Sequence, residues 1–239
     1  MTLKKLTLRA LAGVVISLLA FVPNHLVPLT LAAFAQDHGR SRWETQEAIP
    51  ANQVVWQHVG RIYLNPNTGK AVYAGYVVHL NGISSSLFNG SPSEATAFFT
   101  FSTDVLQLTP LPANGDVALD LVSAGTFSVY YNTSPNGDWT NPATFSSGKL
   151  IATFARKESL FPQIGPIGIH SLSETLESSQ SFTFDGQTYD FNRIAPNGIT
   201  FAQFFSATPG TGITDYPVAF AAAGTTMAVG GNLSALGPR

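Results

Sequence analysis

The chain reads as an all-β domain, and three observations carry that reading. Apolar residues recur at every second position in one short run after another. Clusters of Pro, Asn, Asp and Gly separate the runs, and the runs themselves are rich in β-branched and aromatic residues. Roughly ten short strands at regular spacing, with almost no helix, imply a sandwich or a barrel. An antiparallel two-sheet sandwich of jelly-roll type is the first expectation. A closed β-barrel with an internal ligand cavity is the second, because the many Phe suit a core between sheets and an apolar calyx equally well.

The first residues are read separately from the domain. Lys4, Lys5 and Arg9 form a basic segment, Leu11 to Val22 an apolar one, and Ala33-Phe34-Ala35 a small-x-small cleavage site. The apolar run stops at Pro23, short of the ~20 residues a membrane-spanning helix needs. Residues 1–35 are therefore expected to be a cleaved signal peptide, with the mature chain starting at Gln36. Residues 36–50 form a polar leader arm that Trp43 is able to pin, and residues 51–239 form a single β domain.

Within the domain, 54–64 and 71–81 alternate on either side of Asn65-Pro66-Asn67-Thr68-Gly69, a hairpin signature. Gly75 in the second run marks a bulge or a close backbone approach. The loop 82–93 is rich in Ser, Gly and Asn, with Leu87 and Phe88 among its few apolar residues. The run 95–104 carries Phe98 on one face and Phe99 and Phe101 on the other, as a strand covered on both sides would. Asn114-Gly115 turns the chain into 117–122, and 126–132 and 149–154 follow as the central strand pair. In the first of that pair Phe127, Val129 and Tyr131 share one face. In the second Leu150, Ala152 and Phe154 do.

Residues 160–169, with two Pro and two Gly, are expected to be irregular. Residues 171–179 allow one short helix, with Leu172 and Leu176 four apart and Ser171 or Ser173 as cap. Asp185-Gly186 then links 181–185 to 188–191, and Pro196-Asn197-Gly198 leads into 199–207. The apolar stretch 216–229 fits a buried strand pair split at Gly224 or a helix, and Pro217 and Thr225-Thr226 favour strands.

Composition excludes several kinds of chemistry. With no Cys there is no disulfide, thiol catalysis or thiolate metal site. Loss of the three leader cations takes the 12 basic residues to 9 against 14 acidic ones, a net charge of −5. That balance argues against a nucleic-acid partner, which needs a clustered basic surface. No other stretch is long and apolar enough to span a bilayer once the leader is gone. His58 and His79 fall on neighbouring strands but offset, and read as hydrogen-bonded strand residues. Asp116 and Asp120, four apart on one strand, lie ~13 Å apart at the Cα, too far for the paired carboxylates of a glycosidase.

The remaining candidate is the loop NTSPNGDWTN, residues 132–141. Trp139 at its tip, with Asp138 and Asn132 beside it and Tyr130 on the outward face of the preceding strand, is how a module stacks on a sugar and bonds its hydroxyls. The same Asn and Asp side chains are Asx-turn formers, and Trp139 folding back over the sheet is the structural alternative. The expectation is an exported binding or surface protein whose partner is carbohydrate or another surface component, with no cofactor and no metal. Its rival is a barrel enzyme of hydrolase or cyclase type with a carboxylate or His in an internal pocket.

Overall fold

The computed structural model describes residues 48–208 and 210–230. The signal-peptide reading, Trp43 and most of the 36–50 arm lie outside them. Of the arm, Ile49 is described: it packs on the core, and its amide donates to the Ile194 carbonyl at 3.0 Å.

Among the described residues the regular structure is almost entirely strand. In order these are β1 (Val54–Asn65), β2 (Lys70–Leu80), β3 (Phe99–Thr103), β4 (Leu106–Asn114), β5 (Val117–Val122), β6 (Gly125–Tyr131) and β7 (Lys149–Arg156). Then follow β8 (Ser159–Ile164), β9 (Ile167–Ser179), β10 (Phe182–Phe184), β11 (Gln187–Tyr189), the one-turn helix α1 (Phe191–Ile194), β12 (Ile199–Ala207) and β13 (Val218–Ala228). Eight of them close into an antiparallel barrel in the order β1-β13-β12-β9-β7-β6-β3-β2, sealed by β2 against β1. Closure gives each of these eight strands a partner on both sides over at least part of its length. The architecture is thus the closed barrel rather than the two-sheet sandwich.

Part of the wall is built in two storeys. β2 pairs with β3 through Ala74–Tyr76 but with β4 through Lys70–Ala71. Likewise β9 pairs with β7 through its C-terminal half but with β8 at Gly168 and Ile167. The three-stranded strip β4-β5-β8 therefore walls one end of the barrel, and β3-β6-β7 the other.

Alternation decides what fills the interior. At the β3-β6-β7 end, Trp56, Phe99, Phe127, Phe154 and Phe191 are each 2% exposed or less. Trp56 stacks on Phe127 and meets Phe154 and Phe191 at 5.8–6.2 Å between ring centroids. The hairpin β10–β11, a separate two-stranded sheet, stoppers this end with Phe182, Phe184 and Tyr189. Its turn is Asp185-Gly186, with φ of 48° and 73°, the left-handed pair a two-residue hairpin requires.

Three expectations need correction. Residues 171–179 are strand, not helix: His170, Leu172, Glu174 and Leu176 alternate inward against Ser171, Ser173, Thr175 and Glu177, so the two Leu four apart satisfy a period of two. The segment 160–169 is regular, because Gly165-Pro166 forms a tight turn between β8 and β9, with Ile164 opposite Ile167. Finally, 218–228 is one continuous strand across Gly224 rather than a split pair. Gly75 marks a close backbone approach as expected: a Cβ there would collide with the Val59 carbonyl and the Phe101 ring.

Candidate functional site

The residues proposed for recognition sit on the outside of the barrel. Tyr130 is half-buried on β6, opposite Thr100 and Leu150. Asn132 and Asn136 bond each other at 2.9 Å, and the Asn132 carbonyl oxygen Oδ1 accepts from the Ser134 amide. Asp138 is exposed, its Oδ1 accepting from both the amide and hydroxyl of Thr140, which hold the carboxyl below its usual range. Trp139 is half-buried over a satellite cluster of Tyr63, Ala74, Phe145 and Ala219. Its ring lies 4.8 Å from Phe145 and 5.8 Å from Tyr76, with the Arg61 guanidinium 4.8 Å above it. Its carbonyl accepts from the Tyr63 hydroxyl at 3.0 Å. Ring contacts do not join Tyr130 to Trp139 among the described residues.

The unusual chemistry lies inside. Starting at β7, Arg156 pairs in register with Glu174 on β9, and four residues earlier on that strand His170 pairs with Gln203 on β12. Gln203 is opposite Gly224 on β13, and Gly224 is opposite His58 on β1. Strand alternation turns all of these side chains inward, forming a polar belt that crosses the barrel interior. Gly224 makes the belt possible, since a Cβ at that position would lie 2.9 Å from His58 Nε2. Tyr73, from β2, joins the belt across from Ile62. His58, Arg156, His170, Glu174 and Gln203 are each 2–3% exposed.

Few of these groups are paired. His170 Nε2 lies 2.9 Å from the Ser159 hydroxyl, and His58 Nδ1 is 3.5 Å from that of Thr226. By contrast, Tyr73 Oη, Gln203 Oε1, His58 Nε2, both Glu174 carboxylate oxygens, and Arg156 Nε and Nη2 have no hydrogen-bond partner. Arg156 Nε and Glu174 Oε1 stand 3.8 Å apart, too far for a hydrogen bond. Buried polar groups are nearly always paired, so this cluster is exceptional.

Burial sets the protonation states. It pushes the Glu174 carboxyl up to about 8, with Arg156 only partly opposing, so the acid is largely neutral at pH 7. It pulls His58 down to about 4, against the pull of the neighbouring Gln203 side chain, and His170 down to about 3, where Arg156 adds to the effect. Both imidazoles are neutral. The interior therefore holds one cation, the Arg156 guanidinium, and Glu174 is the only buried carboxylate among the described residues.

Next to the belt lies an internal cavity of ≈ 20 Å³, room for about one water. Tyr73, Arg156, His170 and Gln203 give it a polar side, and Leu106, Leu108, Val122 and Phe161 an apolar one. Leu108 also lines an outer groove of ≈ 540 Å³ between the β1–β2 turn and β4. Leu108 thus borders both the cavity and the outer groove. The β2–β4 ladder beside it is two residue pairs long, reinforced by the Leu108 amide to the Gly69 carbonyl at 2.7 Å and Gln107 Nε2 to the Thr68 carbonyl at 2.8 Å.

Sequence reasoning overlooked this cluster, though a signal existed. Arg156 continues the Ala152–Phe154 face of its strand, His58 shares a face with Trp56 and Ile62, and Gln203 lies between Phe201 and Phe205 on theirs. A polar residue in an apolar row of a strand is the mark of a buried polar site. His79, by contrast, is exposed, offset from His58 by the bulge at Gln57/His58. Among the described residues no three His, Asp or Glu side chains converge to hold a metal. Comparison with protein-family models, with curated proteins and with solved structures finds no match to this chain.

Proposed function

We propose that this chain is an exported β-barrel binding protein that takes a small amphipathic anion into its interior. The head of the ligand meets Arg156, Tyr73 and Gln203, and its apolar body lies along Leu106, Leu108, Val122 and Phe161. One observation carries the reading: a buried guanidinium with two unpartnered nitrogens borders a cavity whose other side is apolar. An uncompensated buried cation is costly to the fold, and a ligand carboxylate supplies the hydrogen-bonded counter-charge that Glu174 does not. Export rests on the basic, apolar and Ala-x-Ala segments of residues 1–35.

The cavity admits one water at present, so binding requires Leu108 and its stretch of β4 to swing outward into the groove beyond. Isothermal titration with decanoate and with decanol tests the proposal. Decanoate is expected to bind in a 1:1 ratio, decanol at least tenfold more weakly, and Arg156→Met to abolish the difference. Equal affinity for acid and alcohol in the parent protein, or no binding of either, refutes it.

A second reading makes the same interior catalytic, and Glu174 favours it: a carboxyl kept neutral near pH 7 is able to donate a proton to a bound molecule. Glycoside hydrolysis needs two carboxyls, and Glu174 is the single buried acid among the described residues, which favours one-acid chemistry such as cyclisation. Turnover abolished by Glu174→Gln with ligand affinity retained is its signature.

A further inference from the structure

The outer face of the barrel over β8, β9, β12 and β13 carries a second feature, independent of the interior. β12 and β13 contain no Asp, Glu, Lys or Arg over their full lengths, and neither does β9 from Ile167 to Ser173. Their outward positions are instead apolar or small. Phe204 and Ile164 are each 63% exposed, Ile167 52% and Ile169 50%, and Ala202, Ala221 and Ala223 are exposed beside them. Ile169 pairs in register with Phe204, and Phe204 with Ala223, so these side chains form one continuous surface. Alongside Phe204 runs a groove of ≈ 330 Å³ lined by Val117, Pro162, Ile164, Ile167 and Ile169.

We propose that this face is the contact surface of a homodimer. Three features select a second copy of this chain as the occupant. The face carries a protruding aromatic ring next to an apolar groove, so two copies related by a twofold axis each seat Phe204 in the other's groove. It lacks charge, so apposing it to itself brings no like charges together, and it offers a charged partner no complement. Its area is also adequate. At roughly 100 Å² exposed for each large side chain, with the alanines added, it supplies on the order of 600 Å² of the ~800 Å² per partner that a standard interface buries. Two antiparallel sheet faces stack ~10 Å apart once their side chains interdigitate, and the alanines flanking Phe204 leave room for that approach.

Sedimentation velocity of the purified protein from 1 to 100 µM, with and without zwitterionic phosphatidylcholine vesicles, tests the proposal. The expected result is a species of twice the chain mass, converted to a monomer by Phe204→Glu with an unchanged circular-dichroism spectrum. Ile169→Asn, a milder change on the same surface, is expected to weaken association at least tenfold and guards against misfolding of the first variant. A parent protein that stays monomeric at 100 µM, a Phe204→Glu protein that stays dimeric, or a monomer that sediments with the vesicles overturns it; the last result reassigns the face to a lipid surface.

Discussion

The two ends of the barrel interior are built from the same kind of strand and reach opposite outcomes. Around Trp56 the inward positions are aromatic, and the β10–β11 hairpin closes over them, so the space is filled. Around Arg156 the inward positions are polar, with at least seven buried nitrogen and oxygen atoms unpaired and a void left between them. Packing of the first kind stabilises a fold; unpaired polarity of the second kind weakens it. A chain that keeps both has placed its stability at one end and spent some of it at the other. That division is what supports the proposed ligand site at the polar end.

Substitutions at the two ends should therefore differ in sign, and the largest effect belongs to the aromatic end. Trp56→Ala removes a fully buried ring that meets three others and is expected to cost about 3–5 kcal/mol. Chemical denaturation monitored by circular dichroism gives this directly. A loss below ~1 kcal/mol would mean that this end is not the packed half of the comparison.

The polar end should set the pH dependence of stability. His58 and His170 are lowered in the fold from 6.5 to about 4 and about 3, so the unfolded chain protonates first and stability is lost as pH falls below 6.5. Glu174 is raised from 4.5 to about 8, so the folded protein keeps a proton that the unfolded chain releases, and stability is lost as pH rises toward 8. Between 4.5 and 6.5 two histidines outweigh one acid, leaving a net rise of ~1.4 kcal/mol per pH unit. Between 6.5 and 8 the acid acts alone, and the slope reverses at similar size. Melting temperatures should peak near pH 6.5, and Glu174→Gln should flatten the alkaline limb. A curve that keeps rising to pH 8 contradicts the assignment of Glu174.

A smaller effect tests the outer loop against the interior. Trp139 is half-buried on Tyr76 and Phe145, and its replacement by Ala is expected to cost about 2 kcal/mol, less than a fully buried Trp. Glycan-array binding by the parent protein, lost in Trp139→Ala with the melting curve within a few degrees, would instead return recognition to Trp139, Tyr130, Asp138 and Asn132.

The sequence showed the strands and turns far better than the way they close. Alternation and the Asn-Gly, Asp-Gly and Pro-Asn turn residues are local signals, and the hairpins at Asn65–Gly69, Asn114-Gly115 and Asp185-Gly186 form where those signals stand. Closure depends on β1 pairing with β13 about 160 residues later in the chain, along ten residue pairs for which no short-range signal exists. The helix expected at 171–179 failed because Leu172 and Leu176 satisfy periods of two and of four alike, and only neighbouring strands decide between them. The site was legible in part. Single inward-facing polar residues were visible on individual strands, but their convergence required the register of six strands around the barrel.

The most direct test of the central claim is the thermal melt of the parent protein and of the double variant Arg156→Met, Glu174→Leu, each with and without decanoate. Replacing buried, poorly paired charged side chains by well-packed apolar ones often stabilises by about 1–4 kcal/mol. The variant is expected to melt several degrees above the parent and to ignore decanoate, while the parent's melting point rises with it. A variant that melts below the parent, or that responds to decanoate as strongly as the parent does, would show that the buried pair holds the barrel together rather than waiting for a ligand.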